Sequence, residues 1–144
     1  MTAATAIFET LGGPRVLRAS QPGLTELGER VRRGLPYTAL EAVMERLGLT
    51  RAQVAEALHL PERTLARRKK ERRLHPDESD RLFRLARIAA RAAEVLGSTE
   101  KASRWLQRAN RALGGRIPLA LLDTDAGTRE VEEVLGRIEH GVFS

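Results

Sequence analysis

Apolar residues recur along this chain at helical spacing, and sustained alternation of apolar and polar positions is missing. Leu40, Val43, Met44 and Leu47 make one stripe, Leu82, Leu85, Ala86, Ala89, Ala93 and Leu96 a longer one, and Val131, Val134, Leu135 and Ile138 a third. Residues three, four and seven apart share a helix face, so each run predicts an amphipathic helix. Glycine and proline punctuate them. A first helix from Ala3 to Leu11 is stopped by Gly12-Gly13-Pro14, and a second, carrying Leu24, Leu27 and Val31, is closed by Gly34. Pro36 opens a third that Gly48 ends, and Asp77, Glu78 and Asp80 gather at the start of a long one that runs to Gly97. Ser98 or Thr99 opens the next, with Ala102, Trp105, Leu106, Ala109 and Leu113 facing inward as far as Gly114-Gly115. Thr128 is the expected cap of the last. The predicted fold class is all-α.

The sharpest local signal is at Thr50. With Gln53 it forms a capping box, and Leu49 and Val54 supply the accompanying hydrophobic staple. That helix ends near Leu58, and a turn at His59-Leu60 leads into a second helix from Pro61 to about Lys70. Two short helices around a three- to four-residue turn are the plan of a helix-turn-helix. Ala55 is the small residue where the helices cross, His59 takes the position that needs a left-handed backbone, and Leu60 and Leu65 are the expected buried anchors. The second helix then presents Glu62, Arg63, Thr64, Arg67 and Arg68 to base edges, with Lys69, Lys70, Arg72 and Arg73 gripping the phosphate backbone.

Charge changes the picture by its placement. The net charge is +6, and residues 61–73 hold seven cations against Glu62 and Glu71. Residues 117–144 carry six carboxylates against Arg129 and Arg137. A basic middle favours a polyanion, and an acidic end implies a different partner. Arg81, Arg84, Arg87 and Arg91 line one side of the long helix, where a solvated face is the simpler expectation. There is no cysteine, hence no disulfide or thiolate chemistry. No apolar run is long enough to span a bilayer, and no secretory leader is expected, so a cytoplasmic protein without membrane partners is predicted.

Beyond Trp105 a denser pattern appears. Trp105-Leu106, Asn110, Ala112-Leu113-Gly114-Gly115, Pro118-Leu119, Leu121-Leu122-Asp123-Thr124 and Gly127 follow in close order, and Ile138, Glu139, His140 and Gly141 close the chain's last helix. This string resembles the C-terminal domain of the Xre/MbcA/ParS family of antitoxins, over about residues 98–144. Residues 36–96 resemble the Xre-type helix-turn-helix that precedes it in that family. The resemblance divides the chain into a helical extension (1–35), a DNA-binding unit (36–97) and a toxin-binding unit (98–144). It implies a type II antitoxin that neutralises a RES-domain, NAD-consuming toxin through its C-terminal domain. It further implies that the protein represses its own promoter as a homodimer. Trp105, Asn110, Pro118, Leu119, Leu122, Asp123, Thr124, Glu139, His140 and Gly141 are the toxin-binding candidates that it marks.

Leu119, Leu121 and Leu122 cannot all point inward from so short a segment, so apolar surface should remain for a partner. Glu139 and the acids at 130–133 are expected to compete at a site built for an anionic dinucleotide. Catalysis is not expected. His59, His75 and His140 have no partner at metal-ligand spacing, Asp123 and Asp125 read as a capping pair, and no phosphate loop, cofactor or metal site is implied. The competing reading is a solitary helix-turn-helix transcriptional regulator.

Overall fold

The computed structural model describes residues 2–20 and 22–141. Among them are nine α-helices and no strand: α1 Ala3–Thr10, α2 Gly13–Leu17, α3 Leu24–Arg33, α4 Tyr37–Leu47, α5 Arg51–Ala57, α6 Glu62–Glu71, α7 Pro76–Leu96, α8 Thr99–Leu106 and α9 Asp125–Glu139. Short 3-10 turns at Arg111–Leu113 and Pro118–Leu121 link α8 to α9. The long helix α7 is the spine: α1, α3, α4, α8 and α9 all pack against it. Its small residues allow this, because Ala86, Ala89 and Ala92 are buried between Leu82, Leu85 and Ile88 and let neighbouring helices approach closely.

The predicted stripes are the buried faces. Leu40, Val43 and Leu47 on α4 and Val131, Val134 and Leu135 on α9 enter one continuous core, and Met44 and Ile138 pack against its edge. The first 35 residues belong to that core too, through Ile7, Phe8, Leu11, Leu17, Leu27 and Val31.

Gly12-Gly13-Pro14 stops α1 as expected; Gly12 turns the chain at φ +111°, and Pro14 is tolerated in the first turn of α2, which follows at once. Four other boundaries differ from expectation. Pro36 and Pro61 precede their helices as N-caps, with extended backbone. The helix opened by Ser98 stops at Leu106. Beyond it the Asn110 carboxamide accepts from the Ala112 N–H, a local bond that competes with helical pairing. The last helix starts at Asp125, ahead of Thr128: Thr124 is the cap, accepting from the Gly127 N–H at 3.0 Å, while Thr128 is buried and donates back to the Thr124 carbonyl.

Candidate nucleic-acid and partner-binding surfaces

The helix-turn-helix assembles as its residues dictate. Thr50 and Gln53 exchange side-chain bonds with each other's backbone N–H groups at 3.1 and 2.9 Å, which fixes the start of α5. His59 takes φ +55°, the left-handed conformation that the turn requires. Ala55 is buried where the helices cross, and Leu65 is fully buried, whereas Leu60 is only partly so. The outer face of α6 then carries Glu62, Arg63, Arg67 and Lys70, all exposed, with exposed Lys69 and Arg72 near its C-terminal end. Lys69 leans toward Glu41 at 3.9 Å, an exposed pair that leaves its ammonium in water.

Two of the expected base-reading residues are not on that face. Thr64 is buried, and Arg68, only 6% exposed, points into the protein. Its Nε donates to Glu78 at 2.7 Å, one Nη donates to Glu71 at 3.0 Å, and the other lies 3.2 Å from His75 Nδ1. Glu78, 3% exposed, also accepts from the His75 N–H at 2.8 Å. One carboxylate therefore caps α7 and pairs with α6, locking the angle between the two helices. Burial pushes the Glu78 carboxyl up, but hydrogen bonds from Arg68 and the His75 N–H outweigh it and hold the group below the usual carboxylate range. The same pair keeps the Arg68 guanidinium more firmly charged than usual. A run of seven cations hides this role, because nothing in its composition separates the inward arginine from the outward ones. The separating signal is period: Leu65 and Arg68 lie three apart on the core side.

The arginine side of α7 is not a solvated face. Arg81 donates to the Leu58 carbonyl at 3.2 Å, Arg87 pairs with Glu132 at 3.3 Å, and Arg91 grips Glu139 with two bonds of 2.9 and 2.6 Å. Together with Arg116–Glu130 at 2.6 Å, these bonds account for three of the acids expected to reach a toxin. Arg91's hydrogen bonds hold the Glu139 carboxyl below its ordinary value. The acidic helix α9 is thus neutralised largely by the chain's own arginines. Glu130, Glu132 and Glu139 are therefore held in ion pairs within this chain, while Glu133 remains exposed.

The other C-terminal candidates divide by burial. Pro118, Leu119 and Leu122 are core, and Asn110 and Thr124 spend their side chains on capping. Trp105 and Asp123 are half-buried, while His140 and Gly141 are exposed. The apolar surface left over is instead Ile117, 41% exposed, next to a small hollow that Gln53, Gln107 and Ala120 also line. The same region ties the two halves together: Gln53 bonds Gln107 at 3.1 Å, and the Ser103 hydroxyl donates to the Leu47 carbonyl at 2.6 Å. Among the described residues no three His, Cys, Asp or Glu side chains gather as a metal site. No helix of the described residues is long and apolar enough to cross a membrane.

The model of the antitoxin Xre-like helix-turn-helix domain matches residues 26–87, and that of the antitoxin Xre/MbcA/ParS C-terminal toxin-binding domain matches residues 91–141. The chain is also 33% identical over 122 residues to an Antitoxin Xre of Yersinia enterocolitica, covering 83% of this chain and 82% of that one. The chain belongs to the Xre antitoxin family. An Antitoxin Xre of Pseudomonas putida is 39% identical over 117 residues, covering 81% of this chain and 72% of the relative. A Prs ADP-ribosylating antitoxin of a Sphingobium species is 27% identical over 124 residues, with 79% and 78% covered. The two domain matches meet inside α7, so the spine of this Xre antitoxin is shared between them. A family of helix-turn-helix and toxin-binding proteins makes the chain a binding protein and not an enzyme.

Proposed function

We propose that this antitoxin neutralises a RES-domain toxin that consumes NAD, and that it represses its own promoter as a homodimer in the cytoplasm. Residues 36–97 then form the DNA-binding unit, 98–144 the toxin-binding unit, and 1–35 a helical extension packed on α4 and α7. The observation that carries the reading is the match of both a helix-turn-helix domain and a toxin-binding domain to one chain with a continuous core. Helix α6 carries exposed cations, while in the C-terminal part Ile117 and His140 are exposed and Trp105 is half-buried. One relative is named for ADP-ribosylation, a reaction that draws on NAD, which fits an NAD-consuming partner.

In this reading Glu62, Arg63, Arg67 and Lys70 approach base edges, while Lys69 and Arg72 hold phosphate. Ile117, Trp105, Asp123, His140 and Gly141 supply the toxin contact. Co-expression with a RES-domain protein encoded beside it tests the arrangement. The R63A/R67A variant is expected to keep growth rescue and lose promoter binding in a gel shift, while Ile117→Glu loses rescue and keeps promoter binding. Loss of both functions in either variant would contradict separate surfaces.

A further inference from the structure

A cleft of about 620 Å³ opens between the N-terminal segment and the C-terminal end of α6. Arg18, Arg30, Arg33, Lys69, Arg72 and Arg73 line it, against Glu41 as the lining carboxylate. Cations gathered in one cleft repel one another, and a bound anion relieves that repulsion. Two of these arginines are braced in place. Arg30 Nη1 donates to the Leu17 carbonyl and Arg73 Nη1 to the Gly34 carbonyl, each at 2.6 Å. A guanidinium has five N–H donors, so both keep most of their donors for a ligand.

Backbone geometry adds an independent observation. Among the described residues, three non-glycine residues have positive φ: Arg18 at +51°, His59 at +55° and Arg72 at +65°. Arg18 and Arg72 close α2 and α6, the position where α4 and α7 use the unstrained Gly48 and Gly97. Both strained arginines line this cleft. Holding arginine where glycine costs less points to a use for the side chain.

We propose that the cleft binds backbone phosphates of the same DNA duplex that α6 reads, so that Arg18, Arg30 and Arg33 extend the DNA interface into the N-terminal segment. The proposal rests on the DNA-binding reading above. Duplex DNA is the occupant because Lys69, Arg72 and Arg73 belong at once to the cleft and to the basic end of the recognition helix and its following loop. The N-terminal segment is then part of the clamp on DNA, built on residues that the recognition motif does not include.

The test uses the full chain, mixed-sequence duplex DNA and the Arg18→Gly and Arg33→Ala variants, with affinity followed from about 50 to 200 mM salt. Each variant is expected to bind several-fold more weakly and to lower the slope of log affinity against log salt by about 0.9, the loss of one phosphate contact. Arg18→Gly also relieves a left-handed arginine, so its melting temperature should stay level or rise while DNA affinity falls. A purely structural arginine cannot produce that opposition. Unchanged affinity and slope in both variants overturn the cleft proposal and leave recognition by α6 standing. A wild-type chain that binds no duplex overturns both. Inorganic pyrophosphate that binds wild type but not Arg18→Gly, with DNA binding equal in the two, assigns the cleft to a free anion and overturns the proposal.

Discussion

Replacing Arg68 with alanine should cost about 3–5 kcal/mol of folding stability, read from the urea midpoint, because it strands the buried Glu78 carboxylate without its partner. Against a typical total of about 5–15 kcal/mol, that loss is enough to populate unfolded chains at body temperature. Exchanging both members for methionine should recover much of it, since no charge is then left uncompensated. Recovery will stay incomplete because the His75 N–H still loses the Glu78 oxygen that caps α7. The pair also sets a pH dependence. Glu78 titrates lower in the folded chain than in the unfolded one, so its contribution is present above the unfolded value of about 4.3 and disappears as pH falls through the folded value. Acid unfolding of the wild type should therefore be steeper than that of Glu78→Gln, which begins less stable at neutral pH. An Arg68→Ala chain with an unchanged urea midpoint and lost DNA binding would return Arg68 to the DNA face.

Replacing Gly127 with alanine should cost about 3 kcal/mol, and the damage should be concentrated at the C-terminal surface. A Cβ on Gly127 would stand 2.1 Å from the Leu121 carbonyl oxygen, which is backbone and has no rotamer to yield. Relief therefore requires the first turn of α9 to move away from the Pro118–Leu121 turn, uncovering Leu119 and Leu122. Thermal unfolding should come at lower temperature, and toxin neutralisation should weaken more than promoter binding. Gly136, on the same helix, has open space around it, so Gly136→Ala is the matched control and should be neutral or slightly stabilising. Equal stability of the two variants would remove close backbone approach as the reason for Gly127.

Gly127 also shows where the sequence is legible and where it is not. In the sequence it reads as loop punctuation, which pushes the expected helix start to Thr128; its real requirement, a backbone contact with Leu121, is tertiary and leaves no local trace. Local chemistry carried further at Thr50 and His59, because a capping box and a left-handed turn depend only on neighbours a few residues away. The stripes on α4, α7 and α9 were legible for the same reason: periodicity records which face is buried. Periodicity does not record what covers a polar face. Arg87 and Arg91 read as solvated because Glu132 and Glu139, which they meet, lie more than forty residues away. Arg68 was hidden among exposed cations until Glu78 appeared beside it. The candidate toxin contacts suffered most, since Pro118, Leu119 and Leu122 carry the family pattern and yet are buried, while exposed Ile117 was not singled out.

Those contacts matter for the central claim, that one core presents a DNA-binding surface and a separate surface that silences an NAD-consuming toxin. Cellular NAD tests it most directly, measured after inducing the proposed RES-domain toxin together with wild type, R63A/R67A or Ile117→Glu. NAD should hold near its uninduced level with wild type and with R63A/R67A, and should collapse with Ile117→Glu. A collapse with the wild-type chain present, or NAD held equally by all three, would contradict the account.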